Sequence, residues 1–374
     1  MKGVGKGALS PASSLVYSVL LALAFSPLGG CAEAPTPSPV VTGLVVRERD
    51  PISLLPAAVD SILTVDVARL RASAFARPFL SATEGADEAS SRRKRGFDEI
   101  VDVDLWVFAR LGTPGGDRAT VEIGRGHFIR PRVAAAFRKS WPGARATQFG
   151  KLDGITDPNL AVAFVSDEVL VFGPPWAVRE IAAVDEGQKA SVRTTEWLVR
   201  AGQAAARVAE HAARDRVTSS RRGAGNQTQN RRALLATPPA AELFVRASSS
   251  TRKELAEALG VGTPIEQLAA RLEVDEAARA LFIADAGTPE NAEALATQLR
   301  EALAGLHERP SIEALGLAPI LGRAAVELKG TEVGVGLAIT ARERAEVAAK
   351  LAEVGALLAK RRQAGDQARQ GEKD

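Results

Sequence analysis

The chain has 374 residues, a net charge of +3 and 46% hydrophobic residues, with one Cys, one Met, one Tyr and three His. A single cysteine excludes an internal disulfide and a cysteine-rich zinc site, so stability must come from a packed core. At this length the chain is expected to divide into more than one module.

At the N-terminus, Lys2 and Lys6 stand without an acidic residue, residues 15–25 (LVYSVLLALAF) are almost wholly apolar, and Leu28-Gly29-Gly30-Cys31 follows. This is the basic, apolar and small-residue order of a secretory signal. The apolar run is about 11 residues where a spanning helix needs about 20, which disfavours a transmembrane helix. The tetrad resembles the lipobox of bacterial lipoproteins. That resemblance implies cleavage between Gly30 and Cys31, diacylglycerol on the Cys31 thiol and acylation of the new amino terminus. Each buried CH₂ contributes ~0.8 kcal/mol, and two or more chains anchor stably. The expected partner is therefore a lipid bilayer, reached through the Cys31 acyl chains. Ala32 stands where an inner-membrane retention signal commonly has Asp, so the periplasmic face of the outer membrane is favoured over the inner membrane. Removing residues 1–30 leaves 46 basic and 45 acidic groups. A balance so close to neutral gives no reason to expect nucleic acid as a partner.

Residues 31–56 read as a lipidated tether, because Pro35, Pro37 and Pro39 favour an extended polyproline-like chain. A first module is expected over 57–190. It opens with a strand at 61–67 and a helix around 69–80. A strong strand follows at 103–111, closed by Gly112-Thr113-Pro114-Gly115-Gly116. Next come a strand at 120–128, a helix at 131–140 begun by Pro131, and a strand at 146–151. Strands at 160–165 and 168–172 flank the hairpin pair Ser166-Asp167, and Pro174-Pro175 opens a helix at 176–184.

Residues 191–216 read as a connecting helix, Ala-rich from 192 to 214, with Trp197, Leu198 and Val208 as packing residues. Residues 217–240 read as a flexible basic linker. The second module, 241–362, has a strand at 242–247, a helix at 251–259 and a strand at 280–285. A helix at 288–306 follows, capped by Thr288, with Leu295, Leu299 and Leu303 along one face. Strands at 324–328 and 332–339 flank Lys329-Gly330, a helix closes the module at 341–361, and 363–374 is a disordered tail. Both halves run strand, helix, hairpin, helix, and 167–171 aligns with 331–335. The expected fold is therefore α+β: two similar modules of mixed or antiparallel sheet with packed helices, joined by a long helix and a flexible linker.

Candidates for chemistry are few. The G-x-S-x-G and H-E-x-x-H motifs are absent, and His127, His211 and His307 share no ligand spacing. Asp98, Glu99, Asp102 and Asp104 are the densest carboxylate group, yet no glycine-punctuated calcium loop accompanies them. Arg92, Arg93, Lys94 and Arg95 form a basic cluster suited to an anionic contact, with solvated loop as the plainer reading. No cofactor, metal or catalytic residue is assigned. The expected function is a non-enzymatic, periplasm-facing envelope lipoprotein that presents surfaces to an envelope protein partner. The alternative is a carrier or sensor that binds a lipophilic or anionic ligand between the modules. A hydrolase relying on carboxylates ranks third.

Overall fold

The computed structural model describes residues 50–74, 76, 95–112, 118–199, 239–246, 261–274, 278–314, 316–340, 342–347 and 349–350. The signal, the tether up to residue 49, most of the connecting helix and linker, the helix expected at 251–259 and the tail lie outside the described residues.

Alternation of apolar and polar residues produces the strands. The first half contributes β1 (Val59–Asp66), β2 (Val103–Gly112), β3 (Arg118–Gly126), β4 (Arg145–Phe149), β5 (Leu152–Thr156), β6 (Ala161–Phe164) and β7 (Val169–Gly173). The second half contributes β8 (Ala241–Arg246), β9 (Gln267–Val274), β10 (Ala278–Asp285), β11 (Ala325–Lys329) and β12 (Glu332–Ile339). The helices are α1 (Val67–Ala72), α2 (Arg130–Ser140), α3 (Pro175–Asp185), α4 (Pro289–His307), α5 (Pro310–Ala314) and α6 (Ala318–Leu321). The class is α+β with antiparallel pairing throughout.

All twelve strands join one sheet, in the order β11-β12-β10-β9-β8-β1-β2-β3-β7-β6-β5-β4. The first and second halves are thus joined through the sheet itself: β1 pairs with β8, Leu63 facing Leu243 and Ile62 facing Phe244. The connection through 191–240 is not the only link between them. On either side of that pair the order is the same. Two strands run outward, a helix follows the third strand in sequence, and a later hairpin returns its second strand to pair with the third. The first half carries one additional hairpin, β4–β5, at its outer edge.

Strand register defines the two faces. One row of side chains crosses ten consecutive strands from β11 to β6: Val326, Val335, Phe282, Ala270, Leu243, Leu63, Phe108, Glu122, Phe172 and Val162. On that near face, α2 buries Val133 and Phe137 against the first half, in one cluster with Phe97, Trp106, Phe108 and Phe172. On the same face, α4 buries Ala292, Leu295, Ala296 and Leu299 against Leu268, Ala284 and Val333 of the second. Helix α4 starts as its sequence dictates: Thr288 is N-cap, its hydroxyl accepting from the Asn291 N–H at 3.2 Å, with Pro289 following. On the far face of the first half, α3 packs Ala177, Val178, Ile181 and Ala182 onto Val107, Ala109, Val121, Ile123 and Val171.

Several expectations shift at their ends or by omission. The expected long helix at 192 begins as a 3₁₀ turn, Val192–Thr194, and is helical again at 196–199, with Trp197 and Leu198 buried. The strands β5 and β9 and the short α5 and α6 are additions to the sequence reading. Gly330, at φ +60°, turns the β11–β12 hairpin where a side chain would be strained. After β12, Thr340 and Glu343 cap the helical residues 342–347 reciprocally: the Thr340 N–H donates to Glu343 Oε2 at 2.9 Å, and the Glu343 N–H to Thr340 Oγ1 at 3.3 Å.

Candidate functional site

The carboxylate group is placed together, but in service of the fold. Asp98 Oδ1 accepts the N–H groups of Ile100 (2.8 Å) and Val101 (2.9 Å), and Asp102 Oδ2 accepts the Asp98 N–H at 2.7 Å. Arg71 on α1 donates to the carbonyls of Ile100, Val101 and Val103 and to Asp104 Oδ1 at 2.6 Å, so one guanidinium clamps the turn that feeds β2. Among the described residues no group of three His, Cys, Asp or Glu is arranged to hold a metal ion.

Of the basic cluster, Arg92, Arg93 and Lys94 lie outside the described residues, as do Gly30 and Cys31. Arg95 points inward and is not available to an outside anion. Its guanidinium meets Glu122 Oε2 at 2.7 Å and Glu99 Oε1 at 3.1 Å, with the Arg95 side chain 12% exposed. It lies 5.1 Å from the Phe172 ring centre and 6.0 Å from Trp106. Burial on its own would lower the Arg95 pKa; the Glu122 and Glu99 carboxylates outweigh it and hold the guanidinium above its ordinary value. Spacing alone misses this, because Glu122 sits 27 residues away on β3 and only sheet register brings it over.

His127 and His307 are exposed, and His211 lies outside the described residues. Near the centre of the sheet, Arg271 on β9 faces Glu242 on β8 (3.7 Å) and neighbours Glu273 (3.3 Å). Burial raises the Glu242 carboxyl above its usual range, with Arg271 pulling the other way.

A different feature is open. On the near face a hollow of about 250 Å³ is lined by Leu63, Leu243, Ala270, Phe282, Val335 and Leu337, with Leu303 of α4 at its side. Most of these side chains are half-buried and Ala280, also in the lining, is exposed. Arg271 and Leu281 also border it, although strand alternation sends their side chains toward the other face. The hollow lies over the second half and takes only Leu63 from the first. The sequence reading missed it because β9 was not recognised as a strand; Leu268, Ala270, Leu272 and Val274 alternate in the pattern that marks one.

No protein-family model matches the chain, and no curated protein matches it. Among solved structures the chain is similar to TP0453 in crystal form I, at 10% identity and a TM-score of 0.39, covering 81% of this chain and 98% of that one. Crystal form III of TP0453 gives 10% identity and a TM-score of 0.39 over 80% of this chain and 98% of that one. Among the described residues no helix is long and apolar enough to cross a membrane.

Proposed function

We propose that the chain is a lipid-anchored, periplasm-facing envelope lipoprotein, built from two similar modules, that acts by binding rather than by catalysis. The observation that carries the anchor is Leu28-Gly29-Gly30-Cys31 at the end of a short apolar run, with Cys31 the sole cysteine. The module reading is supported by the matching strand order on both sides of the β1–β8 pair. The binding reading is supported by the engagement of Arg95, Asp98, Asp102 and Asp104 in structural contacts. Cys31→Ala should release the chain from the membrane fraction or leave its signal uncleaved; a cleaved variant that still sediments with membranes would show that lipid is not the anchor. Crosslinking in the native envelope should capture a protein partner, and its absence there counts against the scaffold role.

A second reading, carriage of a lipophilic ligand, is favoured by one specific observation: the apolar hollow on the near face. Contiguous apolar surface open to water is uncommon unless it meets something.

A further inference from the structure

We infer that the hollow is a preformed site for a single unbranched hydrocarbon chain of about ten carbons, belonging to a free amphiphile whose polar head stays in solvent. This rests on the carrier reading and supplies its ligand class. The first support is a contrast along one row of the sheet. Outward from Leu63 into the first half, the row carries Phe108, Glu122 and Phe172. Those positions are filled: Arg95 meets Glu122 and lies over the Phe172 ring, and Phe97 packs 6.0 Å from Phe172. Outward from Leu243 into the second half, the same row carries Ala270, Phe282 and Val335. At the outer two matching positions the second half has an alanine and a valine where the first has phenylalanines, while at the middle one Phe282 replaces Glu122, and the hollow lies over this row.

Shape and size set the ligand. The row from Leu63 to Val335 crosses four inter-strand steps, roughly 19 Å at the usual strand spacing. A volume of about 250 Å³ along that length makes a narrow trough, suited to a linear chain and not to a compact ring system. A cavity of ~150 Å³ accommodates benzene, so the same proportion gives roughly ten carbons here. The second row of the floor, Ala241, Leu272, Ala280 and Leu337, is apolar as well. Arg271, the one charged side chain among the described lining residues, is engaged by Glu242 and Glu273, which leaves the polar head to solvent. The half-buried state of the lining leaves one side open for that head to remain in water.

The test uses the full chain carrying Cys31→Ala, titrated with decanoate by calorimetry. The expected result is saturable one-to-one binding that Ala270→Phe and Val335→Phe each weaken by about tenfold or more. Ile283→Phe, on the opposite face beside the open Gly334 position, should leave the affinity unchanged. Leu303→Ala, which enlarges the hollow from its side, should shift the preference from decanoate to dodecanoate and guards against misfolding of the bulky variants. Thermal melting of each variant checks the fold. Absence of saturable binding overturns the proposal, as does binding that neither phenylalanine variant alters while both remain folded. Membrane fractionation and partner crosslinking are independent of these measurements, so loss of decanoate binding with anchoring intact would refute the hollow alone.

Discussion

Replacing Arg95 tests the electrostatic logic of the first half. The buried cluster holds one guanidinium between two carboxylates, Glu122 at 2.7 Å and Glu99 at 3.1 Å, with side-chain exposures of 12%, 7% and 8% for Arg95, Glu122 and Glu99. Its formal charge is therefore negative, and the two deletions are not equivalent. Glu122→Gln leaves a neutral Arg95–Glu99 pair. Arg95→Met leaves two buried acids without the cation they share, and breaking a buried pair in this way costs about 3–5 kcal/mol. Urea denaturation followed by tryptophan fluorescence measures the loss. Trp106 beside the guanidinium contributes to a signal shared with Trp141, Trp176 and Trp197. The double variant Arg95→Met with Glu122→Gln should recover part of the loss, giving a coupling energy outside the ~0.3–0.5 kcal/mol expected of independent sites. A cost for Arg95→Met below about 1 kcal/mol, or a double variant that recovers nothing, would refute the reasoning.

Two further outcomes follow from packing and capping. Leu299→Ala, at a site 6% exposed beneath α4, should cost about 2–5 kcal/mol in the same denaturation assay; a loss of a few tenths would mean α4 does not bury that face. Glu343 has a carboxyl that burial would raise, but hydrogen bonds from Thr340 and Arg323 outweigh this and hold it below its ordinary value of 4.5. Its folded pKa being depressed, its contribution is complete above the unfolded value and is lost as pH falls through the folded one. Glu343→Gln should flatten the melting-temperature profile below about pH 4.5, and an unchanged acid limb would show that the cap does not hold the helix it starts.

Local signals were legible where chemistry is local. The proline and threonine at 288–289 fixed the start of α4, Ser166-Asp167 marked the β6–β7 turn, and Lys329-Gly330 marked that between β11 and β12. What escaped were pairings set by distant residues. Nothing in 59–66 announces that its neighbour is 241–246, so the halves read as beads on a connector when they share a sheet. Likewise Arg95 read as one more member of a basic run, since its partner Glu122 lies on another strand. The carboxylates at 98–104 resembled ligands because acids that cap a turn and acids that hold a cation look alike in sequence. The hollow depended on which alanine faced which helix, and that is a matter of register.

The β1–β8 pairing also determines what the chain risks if its halves part. Each of those two strands would become a bare edge of unpaired N–H and C=O groups, several residues long and flanked by apolar neighbours such as Ile62 and Phe244. Such an edge is a template for pairing with other molecules. Cleavage within 217–238 should therefore leave a nicked but associated particle. Expression of either half alone should yield aggregate, because the strand that completes each half's sheet belongs to the other.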